Sequence, residues 1–343
     1  MKNIQILLLL VYCSTLVSCV AQNNSNSVGI MFYNLENLYD TTNDPKKDDE
    51  IFLPSSPRNW DEQKYKKKLE NLSKVIATGA DHMPALVGLC EVENEKVLID
   101  LIATENLKAG NYGYIHFDSP DERGIDVALL YDKNHFTPKK YNPIYVDLSG
   151  DSIDYTRDIL FVYGEIAINA KKEPINIFVN HWPSRVEGEE VSAPKRAVAA
   201  QALKHVVDSL NNQLTDANII IMGDFNDTPY DKSIMQILNA REFKSTFTDE
   251  CLVNLMSEKQ KNGEGSYNFK GKWQTLDQLI VSESLLDDKK SEVDINTIQF
   301  VKKNWMMFVH EKYGESPDRT FSGNNYIGGY SDHLPVYMEL IVQ

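Results

Sequence analysis

Cysteine and positive charge are both scarce in this chain. It has four cysteines in 343 residues, and two of them, Cys13 and Cys19, fall in the N-terminal stretch. The other two, Cys90 and Cys251, are too few for a disulfide framework and lack zinc-ligand spacing. Cys90 lies in an apolar run and reads as a small buried hydrophobe rather than a nucleophile. Lysine and arginine total 35 against 50 acidic residues, a net charge of −15. Taken alone, that balance argues against a general nucleic-acid binder, which carries a basic face. It is compatible with an enzyme that holds a metal in an acidic cleft and supplies positive charge locally. Internal repeats and low-complexity tracts are absent.

The apolar run 4–11 is too short for a comfortable membrane span. With Lys2 before it, it reads as an export signal. Leu16-Val17-Ser18-Cys19 has the form of a bacterial lipobox, where a signal peptidase cuts and a lipid joins the cysteine. Residues 1–19 are then a lipoprotein signal, 20–28 a polar tether and 29–343 one folded domain. The alternative is an ordinary secretory signal cut near Ala21. The expected location is the bacterial cell envelope, on the periplasmic or outer side, with membrane contact only through the lipid.

Apolar runs at 30–33, 85–89, 126–131, 160–168, 175–179, 218–222, 276–281 and 336–342 read as strands. They are short and apolar on both faces, as in paired sheets covered outside by helices. Helical patterns occupy 61–77, with Tyr65, Leu69, Leu72, Val75 and Ile76 on one face, and 97–102. Ser192 is placed to cap a third helix that has Pro194 in its first turn and runs to about Leu210. Residues 304–330, with Trp305 and Phe308, resist assignment and read as a long loop beside the cleft.

Five strand tips carry polar groups: Asn34-Leu35-Glu36, Cys90-Glu91, Asn180-His181, Gly223-Asp224-Phe225-Asn226 and Ser331-Asp332-His333. A strand tip is a rigid platform from which such groups can converge without disturbing the core. Carboxylates, amides and imidazoles together suit a hard cation and a phosphoryl group. Glu91 is a candidate Mg²⁺ ligand. Alternation places Asn34 and Glu36 on one side of an extended segment, Asn34 for phosphate or to orient Glu91, Glu36 as a second acid near the metal. Asp224 can accept a proton from water, and the Asn226 amide can hold a phosphate oxygen. Phe225 between them is the core anchor. His333 can stabilise charge on phosphorus or act as base, with Asp277 fixing its tautomer. His181 is a second imidazole, for which Asp126 is the candidate orienting group. Arg185, Arg157 and Arg123 are candidate phosphate-binding cations, although a plain surface salt bridge suits Arg185 and Arg123 equally.

In this order and spacing the stretches resemble the endonuclease/exonuclease/phosphatase superfamily, across nearly all of 30–342. That group includes deoxyribonuclease I, exonuclease III-like repair enzymes, bacterial neutral sphingomyelinases and inositol polyphosphate 5-phosphatases. The Asn-His-Trp-Pro-Ser-Arg variant is similar to a subgroup of secreted bacterial members. The resemblance implies a deoxyribonuclease I-like four-layer α/β sandwich, two packed mixed sheets flanked by helices. It also implies Mg²⁺-dependent hydrolysis of a phosphate ester, with Mn²⁺ or Ca²⁺ as substitutes. Glu91 would be the main metal ligand, with Glu36 and Asp332 in the metal environment and Asn34 at the phosphate. Asp224 beside Asn226, or His333 backed by Asp277, would be the base, and His181 would contact the phosphate or assist the leaving oxygen.

The first functional expectation is a monomeric, exported phosphodiesterase that cuts DNA or RNA. Three cationic positions, Arg123, Arg157 and Arg185, are few for gripping a polyanion. The alternatives are a sphingomyelinase or phospholipase C-like enzyme, an inositol or sugar phosphatase, and an inactive binding module on the same fold.

Overall fold

The computed structural model describes residues 26–149, 155–169, 171–243, 252–287 and 291–342. The signal at 1–19, its Cys19, most of the tether and Cys251 lie outside the described residues.

Two mixed sheets form the centre. The first has six strands in the order Ser291–Phe300, Val336–Val342, Ser27–Leu38, Leu86–Val92, Asp126–Asp132 and Tyr112–His116. The second has seven, in the order Phe136–Ile144, Ile159–Ile168, Lys171–His181, Ile219–Asp224, Asp277–Ser282, Leu252–Asn254 and Ala240–Glu242. The expected sandwich is therefore present. Its strands are apolar on both faces because both faces are covered. In Ile219–Asp224, Ile220 and Met222 join the core between the sheets, while Ile219 and Ile221 face the outer core. The same alternation puts Leu279 and Val281 inside and Ile280 outside. The outer core is closed by Ala199, Ala200, Leu203 and Val207 of the helix Glu189–Gln213.

The helix Glu62–Thr78 starts at Asp61, whose side chain accepts from the Lys64 amide. It buries Tyr65, Leu69, Leu72, Val75 and Ile76 as its periodicity requires, and Lys68 with them. Among the described residues no helix is long and apolar enough to cross a membrane.

Several boundaries differ from the sequence expectation. Ser27 and Val28, assigned to the tether, already pair with Ile341 and Leu340. The third helix begins at Glu189, one turn before Ser192. Ser192 is interior, and its hydroxyl donates to the Gly188 carbonyl at 2.7 Å instead of capping. Two acidic residues, Glu189 and Glu190, favour the earlier start through the helix dipole. The stretch 304–330 is no plain loop. It folds into the hairpins Met307–His310 with Gly314–Pro317 and Phe321–Ser322 with Asn325–Tyr326. Their strands are two to four residues long, too short to show a period.

Parallel pairing sets the site. Ser27–Leu38 runs parallel to Leu86–Val92, with Asn34 opposite Cys90. Lys171–His181 runs parallel to Ile219–Asp224, with His181 opposite Asp224. The antiparallel partner brings Asp277 opposite Asp224. The polar tips thus end at one edge of the sandwich.

Candidate active site

That edge opens into a cleft of about 550 Å³ lined by Glu91, His181, Asp224, Asn226, Asp332 and His333, among others. The Asn34 amide nitrogen bridges its two sides, donating to Glu91 Oε1 at 3.3 Å and to Asp224 Oδ2 at 3.0 Å. The second Glu91 oxygen accepts from the Asn37 amide at 2.8 Å. Asp224 Oδ1 accepts from the Asn226 amide at 2.9 Å, which orients the carboxylate. A side chain at Gly223 would meet the Asn180 carbonyl, so only glycine lets the two parallel strands close up here. Phe225 is fully buried and meets Trp182 edge to face at 4.8 Å.

His333 Nδ1 lies 2.6 Å from Asp277 Oδ2, and its Nε2 lies 3.9 Å from Asp224 Oδ2. His181 Nε2 is 3.9 Å from both Glu91 Oε1 and Asp224 Oδ2. The two imidazoles sit in opposite fields. Burial pulls the His333 pKa down, but the charge and hydrogen bond of Asp277, with Asp224 and Asp332, raise it well above its ordinary value. Burial, then Arg157 and Arg123, push the His181 pKa well below its ordinary value, so that ring is neutral. Its Nδ1 is buried without a partner. Burial and then Asp277 push the Asp224 carboxyl up to about 6. Burial and then Asp332 raise Glu91.

This crowding of buried carboxylates suits a cation. Glu91 and Asp332 offer oxygens at the cleft, the donor type that Mg²⁺ prefers. Asp224, Asp277 and His333 also lie within 4.8 Å of one another through their ligand atoms. Of the three, His333 and Asp277 share a hydrogen bond, and Asp224 stands 3.9 Å from the other ring nitrogen. Glu91 and Asn226 hold φ of 60° and 50°, as do Glu36 and Asn37 at 51° and 60°. These left-handed residues bend the tips toward the cleft at a strain of order 1 kcal/mol each.

Four expectations need correction. Glu36 does not share a side with Asn34, because its positive φ breaks the alternation. Its carboxylate turns under the cleft, accepting from the Thr320 amide at 2.6 Å and lying 3.7 Å from buried Lys68. Burial and then Asp332, opposed by Lys68, push it up to about 7. Asp126 does not orient His181; it meets His116 Nε2 at 3.1 Å and accepts from the Ser119 amide at 2.8 Å. Arg157 is buried behind the cleft, bonded to Asp121 at 3.1 Å and to the Trp182 carbonyl at 2.6 Å. Arg185 reaches the cleft, but its guanidinium is held by Asp227, Asp231 and Glu189 at 3.0–3.1 Å. Arg123 lines the cleft with its side chain 46% exposed, its Nε 3.6 Å from Asp121 Oδ1 and the rest of its guanidinium toward solvent.

Lys68, Tyr267, Phe269 and Arg319 are not among the site residues expected from the sequence. Lys68 carried a signal, a lysine on the apolar face of its helix. Tyr267 meets the His333 ring at 4.9 Å, tilted by 33°, and Arg319 lies 3.4 Å from Asp332. Tyr267 comes from the hairpin Tyr267–Phe269 with Lys272–Gln274 and Arg319 from the link between two other hairpins, segments too short to leave a local pattern.

The profile described as Endonuclease/Exonuclease/phosphatase family matches residues 29–341. The chain belongs to the endonuclease/exonuclease/phosphatase family. As a member of this family it is a metal-dependent hydrolase of phosphate esters. Solved structures of similar fold include an endonuclease/exonuclease/phosphatase family protein from Bacteroides thetaiotaomicron, 15% identical, covering 92% of this chain and 95% of that one, at a TM-score of 0.53. A mannosyl-6-phosphatase from Bacteroides thetaiotaomicron VPI-5482 is also 15% identical, with 92% and 99% covered and a TM-score of 0.53. The human Nocturnin catalytic domain with a bound sulfate anion is 15% identical, with 93% and 95% covered and a TM-score of 0.52. At such identities these likenesses establish the fold. No curated protein matches the chain.

Proposed function

We propose that the chain is an exported Mg²⁺-dependent phosphodiesterase that hydrolyses DNA or RNA. One observation carries the chemistry: His333 is bonded to Asp277 at 2.6 Å while its other nitrogen faces Asp224 at 3.9 Å. A protonated imidazole and an ionised carboxylate thus stand side by side, able to stabilise a phosphorane and to take a proton from water. Asp224, with a pKa of about 6, is ionised at neutral pH. We assign it the water and assign His333 the phosphoryl oxygens. His181, neutral and with one nitrogen unpartnered, is left to hydrogen-bond the phosphate or the leaving oxygen. Asn34 keeps Glu91 and Asp224 in register. Glu91 and Asp332 would hold the cation, which supplies charge at the phosphoryl oxygen when bound. Arg123, half exposed and paired with Asp121 at 3.6 Å, gives the mouth a cation for a second phosphate.

A sugar phosphatase is the second reading. A cleft of about 550 Å³ has room for one small phosphoester, and a mannosyl-6-phosphatase is among the proteins of similar fold. The deciding experiment incubates the mature protein with plasmid DNA, RNA, sphingomyelin, an inositol phosphate and mannose 6-phosphate, with and without Mg²⁺. We expect Mg²⁺-dependent nucleotide products from DNA or RNA. Hydrolysis of a lipid or sugar phosphate alone would reject the nuclease reading. No hydrolysis of any ester would favour a binding module.

We assign export and lipid attachment to the lipobox at Cys19 and treat the enzyme as a monomer. Labelled palmitate should enter the wild-type chain and not Cys19→Ala.

A further inference from the structure

From the catalytic histidine the cleft continues onto a ridge of aromatic rings and lysines. Tyr267 is bridged to His333 through the backbone and lies against its ring, tilted by 33°. Two residues on in the same hairpin, Phe269 lines the cleft and is 52% exposed. The Lys270 ammonium stands 5.0 Å over its ring. At the turn, Gly271 has φ +88°, and a Cβ there would stand 3.1 Å from the Tyr313 carbonyl oxygen. This turn therefore abuts the next hairpin. On that hairpin Tyr313, His310 and Phe308 follow one another, with ring centroids 4.9 and 6.5 Å apart. Phe308 is 49% exposed, and Lys312 stands 5.1 Å over the Tyr313 ring.

The first hairpin of this ridge runs against the charge of the rest of the molecule, while the second carries Glu311 and Glu315 beside Lys312, with Glu315 held by Lys302 at 2.6 Å. The chain carries −15, yet residues 265–274 contain two lysines and no carboxylate. Many lysines elsewhere are tied to acids, as Lys96, Lys108, Lys204 and Lys261 are. Among the described residues no carboxylate pairs with Lys270, Lys272 or Lys312. Free ammonium groups beside exposed ring faces match the two needs of an unpaired nucleic-acid strand: phosphates find cations and bases find stacking surfaces. A lipid surface fits less well. The hairpin tip is Glu311-Lys312-Tyr313, two of its three residues charged, whereas insertion among acyl chains requires an apolar edge.

We propose that this ridge is a binding track for single-stranded nucleic acid, carrying the strand away from the scissile phosphate. It rests on the reading of the substrate as nucleic acid. A duplex is a poorer ligand, because its bases are stacked on each other and cannot lie on the rings.

The test is fluorescence anisotropy of a labelled oligothymidylate with the intact mature protein in EDTA, where binding is read without cleavage. Phe308→Ala and Lys312→Glu are compared with wild type, and thermal melting checks that each is folded. Loss of one stacking ring should weaken binding about 10-fold, and a duplex of equal length should bind more weakly than the strand. Unchanged affinity in both variants, or preference for the duplex, overturns the track. So does loss of binding to phosphatidylglycerol vesicles with oligonucleotide binding intact, which would make the ridge a membrane surface. Adding Mg²⁺ separates the two ideas. A protein that binds the strand through the ridge and never cuts it keeps the track and refutes the nuclease. One that cuts it while the variants bind as wild type does the reverse.

Discussion

On the floor of the cleft, Asn34, His181, Asp224, Asp277 and His333 are at most 7% exposed, whereas Phe269 on its rim and Phe308 on the hairpin beyond are about half exposed. The floor is made of strand tips locked by hydrogen bonds between the two sheets. The rim is made of short hairpins that lean on one another and carry rings and lysines into solvent. Chemistry needs fixed groups in a dry place, and substrate choice needs surface. The two regions should therefore fail differently: floor changes should lower kcat, and rim changes should raise KM.

Metal removal is the most severe way to break the floor. EDTA should abolish hydrolysis and Mg²⁺ should restore it; a chelator-resistant rate would leave the carboxylate cluster unexplained. Next come Asp224→Ala and His333→Ala. Each should lower kcat by at least ~100-fold, the scale of a lost acid–base group, with KM little changed. A near-normal rate in either would move the centre away from the strand tips.

Asp277→Asn should cost less, about 10-fold, and should reshape the pH profile. The wild-type rate should rise through about pH 6 as Asp224 ionises and fall where His333 loses its proton, well above the ordinary histidine value. The Asp277 charge raises both groups, so its removal should shift both limbs to lower pH. An unmoved alkaline limb would show that His333 does not set it.

Lys68→Met probes the support beneath the floor. It removes the cation beside buried Glu36 and should lower stability by about 3 kcal/mol at pH 8. Glu36 titrates near 7, above the ordinary carboxylate range, so its ionisation works against the fold as pH rises. The loss at pH 5, measured by urea unfolding, should therefore be smaller. The mildest change is Phe269→Ala on the rim. A KM about fivefold higher on an oligonucleotide with kcat unchanged would sharpen the contrast between rim and floor; a fall in kcat would erase it.

The floor was legible because four of the tips are runs of two to four residues in which strand and polar group are adjacent, while Ser331-Asp332-His333 precedes the strand Val336–Val342 by a short link. Gly223-Asp224-Phe225-Asn226 needed no knowledge of distant contacts to be read as a turn with two outward polar groups. Glu36 was misread because alternation assumes an extended backbone, and nothing local announces a φ of 51°. Arg157 and Arg185 were misread for another reason. Their carboxylate partners, Asp121, Asp227 and Asp231, lie 36 to 46 residues away. The sandwich followed from strands apolar on both faces. The rim did not, since hairpins of three or four residues are recognised only by what they lean on.

The left-handed backbone at Glu36, Asn37, Glu91 and Asn226 has an evolutionary consequence. Such residues are tolerated because they work, and each of them taxes the resting protein. A lineage released from the need to cut phosphate esters would gain robustness by replacing them with glycine or by letting the tips straighten. Decay of this enzyme should therefore begin at its pocket, leaving a sturdier sandwich that has forgotten its reaction.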